Sequence, residues 1–392
     1  MSKIVDQAIA TAEKSDKAFC KFISANDAGS TGAHQSGYYI PKNAVSLLFD
    51  TPGIKGQNKE KFVTIRWQNE FETSSRFIYY GVGTRNEYRI TRFGRGFPFL
   101  SEDNVGDLLI LCHIEGDHYE GYVLTSDEDT EAFLAALNID INETNKLISK
   151  DNTASVEDRL LKCFLMFVQS LGKQFPPTVL MASTARQCYN TSFGITASTV
   201  RGNPDKNLLY WLEAEFELFK TIENEVYSDQ IKEPFKNVEQ LVIFANTILN
   251  RRKSRAGKSL EYHLEEVFRH FNLRFNTQVI TEGNKKPDFI FPDADSYHNK
   301  AFDDNKLVFL ASKTTCKDRW RQIINEADRI PTKHLFTLQQ GISKNQLEEM
   351  YAHDICLVVP KPYLTSFPVE YRSKIQTLES FVNYTITTQT YK

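Results

Sequence analysis

The sequence predicts a mixed α+β chain: a β-rich, barrel-like first third, then a mixed sheet flanked by helices. Three observations carry this. Short alternating apolar segments separated by glycine-marked turns crowd residues 61–126. The clearest helical stripe comes much later, in SLEYHLEEVFRHFN, where Leu260, Leu264, Val267, Phe268 and Phe271 recur at helical spacing. From there short strands and helices alternate to the end, the signature of a sheet with helices packed on it.

The elements follow in order. In KFVTIRW (61–67), Val63, Ile65 and Trp67 share one strand face. RFIYYGVGTRNEYRITRFGRG (76–96) reads as strand, turn, strand, and DLLILCHIEG and EGYVLTS add two more. SDEDTEAFLAALN (126–138) is a helix capped by Ser126, with acids in its first turn and a stripe of Phe133, Leu134 and Leu137. Polar, aperiodic sequence then marks a linker, which divides the chain into residues 1–145, a linker at 146–157 and residues 158–392. Helices are expected over 208–226 and 238–250, then the strands TQVIT, PDFIF and KLVFLASK, a helix over 320–328, and the strands HLFTL and CLVVP.

Composition narrows the function. The 392 residues include 47 Lys+Arg against 50 Asp+Glu, a net charge of -3, which excludes a globally basic DNA-coating protein but not a local basic site. With 41% hydrophobic residues the chain is not disordered. No apolar run approaches the roughly 18 residues of a membrane span. The charged N-terminus lacks a signal core, so a cytoplasmic protein is expected. The six cysteines form no CxxC pair, and reduced thiols are expected.

The chemistry concentrates between residues 284 and 326. KKPDFIF places Asp288 at the head of an apolar strand, and LVFLASK closes another on Lys313, which shares a face with Leu307, Phe309 and Ala311. A lysine closing a buried strand needs a partner, and Asp288 could supply it. On the expected helix, Arg319, Gln322 and Glu326 share a face, so that Glu326 would point back toward Asp288 and Lys313. Two carboxylates beside a lysine suit Mg²⁺-dependent phosphodiester hydrolysis: hard oxygens hold the ion, and the lysine serves water and phosphate. A structural Asp–Lys pair with a solvated Glu fits the same spacing and is, by spacing alone, the commoner outcome.

Two segments are basic. NRRKSRAGKS carries Arg251, Arg252, Lys253, Arg255 and Lys258. Its GKS is no P-loop, since Arg252 stands where the pattern needs glycine and no strand leads in. A basic loop is ordinarily a solvated face, and phosphate contact is the alternative. TTCKDRW offers Lys317, Asp318 and Arg319 in the first turn of the expected helix. There the helix N-terminus can meet phosphate, Asp318 can accept from cytosine N4, and Arg319 can take guanine O6/N7. Taken alone, a solvated charged cap explains this segment as well. In the first third, Arg85, Glu87 and Arg89 alternate along a strand, either as a base-reading face or as a salt-bridge ladder. His34 and Tyr39 flank a Gly-rich loop, and His34 alone reads as a surface histidine. Tyr297, beside His298, invites a covalent-nucleophile reading; metal-activated water needs none, and a loop tyrosine is preferred.

KKPDF, ASK and CKDRWRQIINEAD resemble the nuclease core of EcoRII-type restriction endonucleases, within the PD-(D/E)XK superfamily. The resemblance extends through SANDAGSTGAHQSGYYIP, TRNEYRITRFGRG, NRRKSRAGKSLE and TEGNKKPDF, and is weak over about 114–239. It implies an N-terminal B3-like DNA-binding β pseudobarrel, with His34, Tyr39, Arg85, Glu87 and Arg89 on its recognition surface. A C-terminal PD-(D/E)XK restriction-endonuclease-like sheet would follow. Where the superfamily has an acid two residues before the lysine, this chain has Ala311; in the EcoRII branch that acid migrates to the following helix, where Glu326 stands. The resemblance therefore implies Asp288 and Glu326 as metal ligands for Mg²⁺ and Lys313 as the catalytic lysine. A further acid, Glu265 or secondarily Glu261, would hold a metal-bound water. Lys317, Asp318 and Arg319 would read a CC/GG pair, and Arg251, Arg252 and Arg255 would contact phosphate.

The activity implied is that of a type IIE endonuclease. A homodimer would cut double-stranded DNA at a CCWGG or CCNGG-like site, 5′ of the first C. Its N-terminal domain would bind a second, effector copy of the site and inhibit cleavage until it does. A cognate cytosine methyltransferase would be expected in the same host, without direct contact. The family pattern has a basic residue just before TRNE; here Val82 and Gly83 precede it. A non-catalytic DNA-binding regulator built from the same modules is the competing class, and retention of Asp288, Lys313 and Glu326 favours the enzyme.

Overall fold

The computed structural model describes residues 2–29, 37–148 and 158–390. Its first part opens with helix α1 (Lys3–Lys14), capped by Ser2 and burying Val5, Ala8 and Ala12. Strands β1 (Lys17–Phe22), β2 (Tyr38–Ile40), β3 (Lys59–Trp67), β4 (Phe71–Tyr80), β5 (Glu87–Thr91), β6 (Leu108–Glu115) and β7 (His118–Leu124) follow, then helix α2 (Asp127–Ala136) and strand β8 (Lys146–Leu147). They form one sheet in the order β2-β5-β4-β3-β7-β6-β1-β8. Every pairing is antiparallel except β3 with β7.

Alternation along β3 puts Val63, Ile65 and Trp67 into an aromatic core with Tyr38, Phe77 and Tyr119. The opposite face of the sheet packs α1 and α2 through Ala18, Cys20, Leu108, Ile110 and Phe133. The second part opens with helices α3 (Asp158–Ser170), α4 (Thr178–Phe193), α5 (Ala197–Gly202), α6 (Pro204–Lys232) and α7 (Val238–His270). Next come β9 (Asn276–Thr277), β10 (Phe289–Phe291), α8 (Ala294–His298), β11 (Val308–Lys313), β12 (Lys333–Thr337), α9 (Lys344–Ala352), β13 (Ile355–Val359), β14 (Gln376–Thr377) and α10 (Leu378–Thr390). The six strands lie in the order β14-β13-β12-β11-β10-β9. β9, β10 and β11 pair antiparallel, and β11 through β14 run parallel. α7 and α10 cover one face through Leu264, Val267, Phe268 and Phe381. The segment after β11 covers the other through Trp320, Ile323 and Ala327. The first apolar cluster runs without a break from Phe133 and Leu108 to Phe268 and Phe289, so the two parts share buried surface.

Five expectations are corrected. α1, β1 and β2, and helices α3 to α5 over 158–202, are elements beyond those expected. The expected basic loop at 251–258 is the interior of α7, which runs 33 residues unbroken: arginine, lysine and alanine sustain a helix, and a Cβ on Gly257 would meet nothing within 4 Å. The expected helix over 320–328 is a short 3₁₀ turn, Arg319–Ile323, followed by irregular chain with Ala327 at φ 51°. Lys146 and Leu147, placed in the linker, instead pair with β1, and residues 149–157 lie outside the described residues. Finally, Cys163 and Cys188 are joined in a disulfide where α3 packs on α4, at a Cα–Cα distance of 5.7 Å.

Asp205, in the first turn of α6, is buried and accepts the backbone N–H groups of Lys361 (2.8 Å), Leu378 (2.9 Å) and Glu379 (3.0 Å), tying α6 to the start of α10. Asp205→Ala should orphan these donors and cost about 1–3 kcal/mol, read as a lower denaturant midpoint at unchanged m-value.

Candidate active site

The antiparallel register Phe289↔Leu310 sets Asp288, at the head of β10, beside the C-terminal end of β11. There its Oδ2 accepts from Ser312 N (2.8 Å) and Ser312 Oγ (3.2 Å), while Oδ1 accepts from Gln278 Nε2 (3.2 Å). The partner of Asp288 is thus the residue next to Lys313 rather than Lys313 itself. Lys313 ends β11, half-buried, on the face that carries Phe309 and Ala311.

Glu326 reaches the same place without a helix. Its turn is held by Glu326 N donating to Ile323 O (3.0 Å) and by Lys285 Nζ donating to Asn325 O (2.9 Å). Burial pushes the Glu326 carboxyl up, Asp288 adds to that, and Lys313, Lys285 and Lys333 oppose it. Of the two upstream acids, Glu261 lies nearer. Burial and the Asp288 charge raise its carboxyl, while Lys258 (2.7 Å) and Lys313 pull it down. Glu265, one turn further along α7, turns away and pairs with Arg269 at 2.6 Å. The geometry therefore favours Glu261 over the expected Glu265.

Among the described residues no three acidic, histidine or cysteine side chains converge on one ion position. The donor set nevertheless fits a hard divalent cation. Asp288 raises both Glu326 and Glu261, so these carboxylates repel across one strand end, and a shared cation would relieve that repulsion. Asp288 and Glu326 are the residues that would hold it, with Glu261 behind.

The KDR segment is engaged elsewhere. Asp127, at the start of α2, accepts from Lys317 N at Oδ1 (3.1 Å) and from Asp318 N (2.7 Å) and Arg319 N (3.2 Å) at Oδ2. In return, Asp127 N donates to Asp318 Oδ2 (3.0 Å). Lys317 Nζ reaches Asp107, and Arg319 Nη2 reaches Glu131. Burial pushes the Asp127 carboxyl up, against the backbone donors and Arg319, which lower it. The turn's N–H groups, expected to face phosphate, are instead capped by a carboxylate from the first part of the chain. Close backbone approach completes the seam: a Cβ on Gly106 would lie 2.2 Å from Gly341 O.

The basic stretch of α7 joins this seam. Arg252 donates to Ala135 O (2.9 Å) and Ala136 O (3.2 Å) at the end of α2 and pairs with Glu223 (2.7 Å). Arg255, 6% exposed, pairs with Asp140 at 3.2 Å, so neither side chain stands on an open surface. Arg251 is exposed and lies over the Phe175 ring.

In the first part, Arg89 is 4% exposed, pairs with Glu87 (3.4 Å) and donates to Gly37 O (3.2 Å). It braces the end of the Gly-rich loop rather than facing solvent beside Arg85. Arg85 is exposed in the turn before β5, over Tyr80. Tyr39 N donates to buried Asp27 (2.7 Å). His34 lies outside the described residues. Gly83 sits at φ +67° in open space, a turn conformation that a longer basic residue would adopt only with strain. Tyr297 is buried and donates to Glu282, which leaves it no nucleophilic role. Gln278, Ser312, Asp127 and Glu131 were not singled out from sequence; the one advance signal for them was the run of acids opening α2.

Comparison with known proteins follows the same division. Residues 12–146 match the family model "Restriction endonuclease EcoRII, N-terminal" and residues 219–382 match "EcoRII C terminal". The chain is 37% identical over 385 residues to the Type II restriction enzyme EcoRII of Escherichia coli, covering 93% of this chain and 92% of that one. Among solved structures, the PspGI–substrate DNA complex is similar at TM-score 0.46 and 17% identity, over 55% of this chain and 93% of that one. Metal-depleted Ecl18kI with uncleaved, modified DNA is similar at TM-score 0.45 and 16% identity, over 59% and 84%.

Asp127→Ala in the full chain should free the amides of residues 317–319. Hydrogen exchange there should accelerate by about 5–150-fold, the equivalent of about 1–3 kcal/mol of lost hydrogen bonding, with little change in the sheet strands.

Proposed function

Because the chain belongs to the EcoRII family of type II restriction endonucleases, we propose that it is a Mg²⁺-dependent, type IIE site-specific deoxyribonuclease. Its substrate is double-stranded DNA at a CCWGG or CCNGG-like site. The observation that supports this reading is that Asp288 and Lys313, at adjoining ends of β10 and β11, both act on the carboxyl group of Glu326.

Asp288, released from Gln278, and Glu326 hold the ion, and Ser312 keeps Asp288 aimed along the strand end. When bound, Mg²⁺ polarises the phosphate and lowers the pKa of a coordinated water. Lys313 orients the attacking water and neutralises the phosphate, and Glu261 holds a second water once Lys258 lets it go. Asp318 and Arg319 read cytosine and guanine edges, and Lys317 contacts phosphate. Arg251 remains a phosphate contact, while Arg252 and Arg255 bear on the seam. Tyr39, Arg85 and Glu87 belong to the second reading surface, with Arg89 bracing it and His34 on its loop.

The Asp127 cap and the Glu131 contact to Arg319 support autoinhibition by the first domain, residues 1–145. They occupy the backbone N–H groups and the guanidinium that this reading assigns to phosphate and guanine. Opening of this seam when an effector copy of the site binds would release the turn. Exposed Leu165, Met166, Val242 and Ile243 on α3 and α7 support a homodimer, each copy presenting one KDR turn to a two-fold site. No described helix is long and apolar enough to cross a membrane. The cytoplasm, where a cognate cytosine methyltransferase would protect host sites, is the location this activity requires.

Lys313→Ala should lower the cleavage rate of site-bearing plasmid by several orders of magnitude while duplex affinity in Ca²⁺ stays within a few-fold. Chelating Mg²⁺ should abolish cleavage by the unmodified chain. Normal turnover by Lys313→Ala would remove the assignment.

A further inference from the structure

Lys333 opens β12 and is only 4% exposed, an unusual place for an ammonium group. The parallel register Phe309↔Lys333 and Lys313↔Thr337 puts it on the same sheet face as Lys313, at the other end of the strands. Across that face runs the irregular segment that carries Glu326. Lys333 Nζ donates to Ala327 O (2.6 Å) and to Ile330 O, and lies 5.4 Å from the centre of the Phe309 ring. Ala327, with its left-handed φ of 51°, directly follows Glu326. The ammonium thus bridges two carbonyls of the turn from beneath. From outside, Arg329 ties the same turn to Asn299 O (3.1 Å) and Phe302 O (3.0 Å).

The charge costs the fold something. Burial pushes Lys333 down to about 8, and Asp328, Glu282 and Glu326 act against that shift. None of these carboxylates lies within ion-pair distance of Lys333 among the described residues. A methionine would fill the same space without desolvating a cation. The feature that distinguishes lysine here is its hold on the two carbonyls of the Glu326 turn.

We infer that Lys333 is a positioning residue for the metal-ligating carboxylate of Glu326, fixing the turn that carries it. This rests on the proposed nuclease reading, in which Glu326 holds the ion, and adds a residue that never touches ion or DNA. Residues behind metal ligands typically change metal affinity by about 10–100-fold when removed.

The test is equilibrium Mn²⁺ binding to the full chain with a site-bearing duplex, followed by electron paramagnetic resonance, for the unmodified protein, Lys333→Met, Glu326→Gln and the double variant. Lys333→Met should weaken Mn²⁺ binding about tenfold, and the same change in the Glu326→Gln background should add little. If Glu326→Gln weakens binding and Lys333→Met does not, or if the two losses simply add, Lys333 has no positioning role and only this inference falls. If Glu326→Gln itself leaves Mn²⁺ affinity unchanged, the ligand assignment falls and Lys333 with it. Should Lys333→Met fail to fold, Lys333→Gln, whose shorter side chain cannot bridge both carbonyls, is read in its place. A loss in Mn²⁺ affinity supports the inference, and unchanged affinity overturns it.

Discussion

One carboxylate couples the two halves of this molecule. Asp127 receives three successive backbone N–H groups from residues 317–319 and returns its own N–H to Asp318. Helical turns leave such donors unsatisfied, and they are ready receptors for anions. Here a side chain takes the place that a phosphate could occupy. Glu131 and Asp107 take Arg319 and Lys317 in the same way, so one acidic rim engages every charged group of the KDR turn. Arg252, Arg255 and the Gly106–Gly341 approach fix the rest of the seam at backbone distance.

The catalytic geometry depends on a second balance. At one strand end burial and the Asp288 charge raise the carboxyl groups of Glu326 and Glu261, against Lys313, Lys285 and Lys333 on the first and Lys258 and Lys313 on the second. Such a site is poised for a divalent ion because repulsion disfavours it empty of positive charge. Ser312 and Gln278 hold Asp288, Lys258 holds Glu261, and Lys333 underlies the Glu326 turn. Recruiting the ion requires Asp288 and Glu261 to exchange partners, whereas Glu326 is already held by backbone.

The sequence made much of this legible. Alternation in 61–67 and 108–124 announced the first sheet, because strand faces sort polar from apolar residues locally. KKPDF and LVFLASK announced the second and its acid–lysine end for the same reason. The Glu326 turn was misread as a helix because Trp320, Ile323 and Ala327 keep helical spacing, although they pack on the sheet through a 3₁₀ turn and a left-handed residue. The arginines of α7 read as a phosphate-contacting loop because the partners of Arg252 and Arg255, the end of α2 and Asp140, lie more than a hundred residues away. Asp127 was equally hidden: an acid in a helix's first turn is explained by that helix alone until a second chain segment is brought against it.

The most direct test of this account is the rate at which the full-length Asp127→Ala, Glu131→Ala double variant cleaves a duplex bearing a single site. Each charge-assisted contact removed is worth about 1.5–3 kcal/mol, so the account expects a rate at least about tenfold above that of the unmodified chain, with no added effector duplex. A variant that folds normally, frees the turn and still cuts at the unmodified rate would show that the seam does not restrain the enzyme.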